Sequence, residues 1–284
     1  KNAFAKHDID RMRMDPEAQS YADFAKDRTK KVNAEVLNPV DIANKVFNTW
    51  HLSETDRAML DKYWANLKDY YNGREENAIA IVDVSGSMTG QPMNAAVSMG
   101  AYIAERGKGP FANHFITFSE RPRLVRFEGV DITDKFRRAK NANWGYSTNI
   151  EAAMDLLLNT AIRNNIPVSD MPENNLPQSE LPERLIIISD MEFNAGFRLN
   201  LARYGNTDTL FEAIAKKWER HGYQMPKVIF WNLDARHENI PALGERFSYV
   251  SGFSMAMVEC ILSGKDGYAL MMEKLDSKRY ECIR

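Results

Sequence analysis

Asp83, Ser85 and Ser87 stand two residues apart at the end of the apolar run Ile79-Ala80-Ile81-Val82. One carboxylate with two hydroxyls is a set of hard oxygen donors. Such a set suits Mg²⁺, which keeps several of its waters and takes few protein carboxylates. The run is too short to cross a membrane and does not alternate with polar residues. It therefore reads as a strand covered on both faces, as in a parallel sheet. The three donors then fall where the strand leaves the sheet, the end at which open α/β sheets bind ligands. Ser and Gly after a strand are also ordinary turn chemistry. The strand in front of them is the context that favours a metal over a plain turn.

Two later stretches carry matching donors. Thr148 lies in Gly145-Tyr146-Ser147-Thr148-Asn149, and Asp190 follows Leu185-Ile186-Ile187-Ile188-Ser189. Together with Asp83-Val84-Ser85-Gly86-Ser87, in this order, they resemble the metal-ion-dependent adhesion site (MIDAS) of von Willebrand factor type A (vWA) domains. The resemblance covers roughly residues 77–284. It implies a site of Asp83, Ser85, Ser87, Thr148 and Asp190 around Mg²⁺ (or Mn²⁺). Ser85 and Ser87 would bind directly, Thr148 directly or through water, and the carboxylates often through water. It also implies a protein partner whose Glu or Asp side chain completes the coordination. There are two departures. Met191-Glu192-Phe193 follows Asp190, where many relatives have Gly, and Glu192 either adds charge or faces solvent. Met88 follows Ser87, and its bulk is expected to narrow access.

The elements that must position these residues follow from the pattern. Strands are expected at 114–118, 124–127, 185–189, 227–231 and 247–250. Helices are expected after Pro92, over 132–140, from Ile150 to Ile162, after a Thr207 cap, and over 254–262 and 268–275. Strands alternating with helices give an α/β fold, a doubly wound and mainly parallel Rossmann-like sheet with helices on both faces. Trp144 either stacks on a ligand or plugs its loop. Residues 165–182, with Pro167, Pro172, Pro177 and Pro182, read as a loop or insertion.

Residues 1–76 read as a helical N-terminal segment before a vWA-like domain at 77–284. A helix is expected near Ala18–Lys31, another from Pro39, and a third capped by Ser53-x-x-Asp56. The third would run past Trp64, Leu67 and Tyr70 or Tyr71 to Gly73 as its C-cap. Its aromatic stripe is either core or a base-stacking platform. Leu37-Asn38-Pro39 and the Trp64 helix resemble the helical part of DUF2828-like chains. A helical segment followed by a type A domain also resembles the layout of the Ro (TROVE) RNA-binding proteins. That implies RNA as an alternative partner. Lys135, Arg137, Arg138 and Lys140 are its candidate contacts, or else a solvated basic helix.

Bulk properties bound the function. With 284 residues, 44% hydrophobic and 27% charged, the chain is ordinary for a globular protein. A net charge of −2 argues against a general nucleic-acid coat. Two cysteines without a C-x-x-C pattern indicate neither a zinc site nor a disulfide framework, and with 14 methionines a reducing cytoplasm is expected. No apolar run of about 18 residues predicts a membrane partner. There is no G-x-S-x-G, no P-loop and no close pairing among the five histidines, so an enzyme is not expected. The expectation is a metal-dependent protein-binding module, a subunit of a larger assembly. The alternative is a ribonucleoprotein component.

Overall fold

A computed structural model describes residues 7–15, 19–34, 36–71, 73, 77–142, 149–164, 181–191, 210–234, 246–252, 255–263 and 267–276. The chain divides into two compact units, each made of two separate stretches of sequence. Lys1–Lys68 with Glu128–Lys140 form the first, and Asp69–Phe127 with Asn141–Arg284 form the second.

The second unit is built on β1 (Ala78–Asp83), β2 (His114–Phe118), β3 (Leu124–Arg126), β4 (Arg184–Ser189), β5 (Lys227–Asn232) and β6 (Phe247–Ser251). They make one sheet in the order β3-β2-β1-β4-β5-β6. All neighbours are parallel except β2 and β3, which are antiparallel. β3 is the short edge strand that the mixed Leu124-Val125-Arg126 sequence predicts. The chain moves outward from β1 to β3, then returns to the other side of β1 for β4. Such a reversal opens a crevice at the carboxyl ends of the two central strands.

Both faces are covered, which is why β1 is buried at every position. On one face Ile79 and Ile81 join Ile187, Phe230, Leu157 and Trp218 in the main core. The last two lie on helices Ile150–Arg163 and Leu210–Arg220. On the other face Ala80 and Val82 meet the helix Gln91–Arg106 at Gly100. A Cβ added there would lie 2.3 Å from Val82 Cγ2 and 3.9 Å from Ala80 Cβ. The missing side chain thus sets how closely this helix approaches the strand that ends in Asp83. Arg184 donates to the carbonyls of Ile261 and Leu262 in the helix Met255–Ser263. Tyr70 and Tyr71 pack their rings on Tyr102 of the Gln91–Arg106 helix, and Tyr70 N–H donates to the Tyr102 hydroxyl at 3.0 Å. A last helix spans Gly267–Leu275. Among the described residues no helix is long and apolar enough to cross a membrane.

The first unit holds helices Asp8–Met14, Tyr21–Lys26, Pro39–Phe47, Glu54–Ala65 and Ile132–Lys140. Ser53 accepts from Asp56 N–H and Asn38 precedes Pro39, so both helix starts lie where the sequence sets them. Two stops come earlier than expected. Tyr21–Lys26 ends before Lys31 because Asp27 is extended and the buried Lys62 ammonium takes the carbonyls of Phe24 and Asp27. Glu54–Ala65 ends well before Gly73, with Asn66 as its cap and Asn66 Nδ2 donating to Lys62 O at 2.8 Å. Trp64 is core: its ring meets Phe136 edge-on at 5.2 Å. Phe136 belongs to Ile132–Lys140, whose first amide donates to Asp61 Oδ1 at 2.6 Å. Arg57 pairs with Asp131 at 2.6 Å beside it. The helix at 132–140, placed after residue 76 in the sequence reading, is thus counted with the N-terminal helices.

Gly100→Val should overpack the fully buried Val82 and lower stability by about 2–3 kcal/mol in urea denaturation. Lys62→Met keeps the apolar stem but leaves two carbonyls without their charged donor. A loss of about 1.5–3 kcal/mol is expected. Hydrogen–deuterium exchange should locate it in faster exchange over residues 21–27.

Candidate metal centre

The end of β1 folds back on itself because of one carboxylate. Asp83 Oδ1 accepts the Ser85 N–H at 2.8 Å, the local turn that an Asp two residues back favours. A single 3₁₀ turn, Gly86–Met88, follows, with Met88 N–H donating to Ser85 O at 3.0 Å. Met88 is fully buried. Its bulk anchors the turn in the core, so the expectation that it narrows access is corrected. Gly86 and Ser87 are exposed, and no heavy atom lies within 4 Å of a Cβ added at Gly86.

This turn brings Ser85 Oγ and Ser87 Oγ to 3.1 Å. Neighbouring ligands of an octahedral ion bound at about 2.1 Å stand about 3.0 Å apart. The hydroxyl pair therefore fits an edge of such an octahedron.

Asp190 arrives from β4. The β1–β4 register pairs Val82 with Ile188, so the next residues in line are Asp83 and Ser189. Ser189 Oγ donates to Asp83 Oδ2 at 2.6 Å and accepts the Met191 N–H at 3.1 Å. Met191 is buried and has φ 62°, in the left-handed region. A side chain other than glycine's carries a steric cost in that conformation. Ser189 was not among the expected site residues. The available signal was a hydroxyl closing an otherwise apolar strand one position before the carboxylate.

The electrostatics are those of a site short of positive charge. Asp83 has no solvent exposure, and Asp190 is 4% exposed. Burial pushes the Asp83 carboxyl above the ordinary carboxylate range. The hydrogen bonds from Ser189 and Ser85 pull it down, and the Asp190 charge pushes it up again. Among the described residues no group of three or more His, Cys, Asp or Glu side chains gathers as a metal site. The donors that do gather are mixed, carboxylates with hydroxyls, and hard.

Asp83, Ser85, Ser87 and Asp190 are thus gathered at the carboxyl ends of β1 and β4. Thr148, Trp144 and Glu192 lie outside the described residues. The four basic candidates sit in the first unit, on the helix Ile132–Lys140. Arg138 pairs with Asp134 at 2.9 Å, Arg137 donates to the Trp50 carbonyl at 3.2 Å, and Lys140 stands over the Phe47 ring at 4.5 Å. Lys135 shares their helix, whose C-terminal half concentrates the positive charge.

Comparison with known proteins places the chain. An uncharacterized protein of Acanthamoeba polyphaga mimivirus is 30% identical over 253 residues, 87% of this chain and 41% of that protein. The chain therefore spans less than half the length of this relative. The crystal structure of the Deinococcus radiodurans RO (RSR) protein aligns at 16% identity with a TM-score of 0.46, over 74% of this chain and 38% of that one. Residues 77–281, from the residue before β1 onward, match the domain of unknown function DUF7788. The chain belongs to the DUF7788 family.

Proposed function

We propose that the second unit is a metal-dependent protein-binding module of the vWA type, a non-enzymatic subunit of a larger assembly. The supporting observation is the hydroxyl pair of Ser85 and Ser87, 3.1 Å apart, beside the buried Asp83. In this reading Ser85 and Ser87 hold Mg²⁺ or Mn²⁺ directly, Asp83 and Asp190 act through water, and Thr148 supplies a further oxygen. A divalent ion held mainly by neutral oxygens stays electron-poor and offers an exchangeable position to a partner's Asp or Glu. The protein's own part is to keep the hydroxyls together and two carboxylates dry beside them. The alternative is an RNA-binding component, for which Lys135, Arg137, Arg138 and Lys140 on one helix are the candidate contacts.

Calorimetric titration of Mn²⁺ or Mg²⁺ into the full chain tests the proposal. Saturable binding is expected, weakened at least 10–100-fold in Asp83→Ala. Absent binding, or equal binding by the variant, rejects it. RNA retention on filters that falls steeply with salt, without any cation binding, would put the ribonucleoprotein reading in its place.

A second test uses pH. The folded-state value of Asp83 lies above its unfolded value. Folding therefore favours the protonated form. That contribution is fully present below the unfolded value and is lost as pH rises through the folded one. In EDTA, Asp83→Asn should accordingly gain on wild type in urea stability as pH rises to neutral, because it has no carboxyl to ionise. The gain should vanish at about pH 3.5, below the ordinary carboxylate value. Added Mn²⁺ at neutral pH should raise the wild-type Tm and leave Asp83→Asn nearly unmoved.

A further inference from the structure

We propose that Ser189 is a positioning residue that keeps Asp83 out of direct contact with the cation, and that it thereby sets a preference for small octahedral ions. The inference rests on the metal-centre reading above and goes beyond it, because Ser189 is not a ligand there.

The geometry of the hydroxyl is over-determined. Its one proton is directed at Asp83 Oδ2, 2.6 Å away. Its lone-pair side takes the Met191 N–H at 3.1 Å, a group that can only donate. The Met191 N–H takes one acceptor position of the oxygen, and the proton is left for Asp83 Oδ2. Met191 itself is fixed, buried to 2% exposure with φ 62°. The strand carrying Ser189 is tied on its far side too, with Leu233 N–H donating to Ser189 O at 3.0 Å. Asp83 Oδ1 is meanwhile held by the Ser85 N–H at 2.8 Å. The carboxylate is gripped at both oxygens, one from its own turn and one from the neighbouring strand.

A carboxylate held this way keeps lone pairs for a metal-bound water but does not swing to chelate an ion. That leaves the hydroxyls as direct ligands. Mg²⁺ and Mn²⁺ tolerate such a set, because they keep waters in an octahedral shell. Ca²⁺ takes six to eight oxygens and gains most from a bidentate carboxylate. Releasing Asp83 Oδ2 should therefore harm the small ions more than Ca²⁺. A Ser189 that merely satisfied a buried oxygen would instead weaken both alike.

The test is calorimetric titration of the full chain with Mn²⁺ and with Ca²⁺, for wild type, Ser189→Ala and Ser189→Thr. Wild type should prefer Mn²⁺. Ser189→Ala should lose 10–100-fold in Mn²⁺ affinity and less in Ca²⁺ affinity, so that the Mn²⁺/Ca²⁺ ratio falls by about tenfold. Ser189→Thr, which keeps the hydroxyl, should restore the ratio. An unchanged ratio in Ser189→Ala, or a ratio that Thr does not restore, overturns the proposal while wild-type binding leaves the metal centre standing. Wild type that binds neither ion removes both. If circular dichroism finds Ser189→Ala unfolded, Ser189→Cys carries the test with its weaker S–H donor. An intermediate ratio then supports the proposal, and a wild-type ratio overturns it.

Discussion

The parallel pairing of β1 with β4 is the constraint on which the rest of the second unit depends. Their register aligns Val82 with Ile188 and so sets Asp83 beside Ser189. A slip of one residue would turn every side chain of β4 to the opposite face. The apolar alternates Ile79 and Ile81 on one side, and Ala80 and Val82 on the other, are what prevent that slip. Core packing and site geometry are thus the same fact seen from two ends of the strand. The close approach of the helix at Gly100 adds to this, since it fixes the residue immediately before Asp83.

The sheet was legible because its central strands are unbroken apolar runs, and few other arrangements can bury both of their faces. The donors Asp83, Ser85 and Ser87 were legible because their spacing follows such a run. Asp190 was legible for the same reason. Ser189 was not, because a serine at a strand end looks like a turn residue until the neighbouring strand is known. Its role comes from register, and register is a pairwise property that one segment does not carry.

Helix lengths in the N-terminal unit were less legible than helix starts. Asn38 and Ser53 mark beginnings by local side-chain chemistry, which a short window contains. The stop at Lys26 depends on Lys62, more than thirty residues from the carbonyls it takes. The aromatic spacing continued past Ala65 into Tyr70 and Tyr71, yet those rings turn to Tyr102 instead. Periodicity alone does not say which partner a residue will find.

The discontinuity of the first unit has a consequence for biosynthesis. Helices 39–47 and 54–65 emerge from the ribosome first, but the aromatic ring that Phe47 and Trp64 share arrives only with Phe136. At ordinary translation speeds of about 5–20 residues per second, that is a wait of several seconds with aromatic surface uncovered. The amino-terminal piece therefore cannot close until a helix made after three strands of the sheet has emerged. A fragment cut at the apparent boundary near residue 76 would lack this keystone and expose its aromatic seam to aggregation.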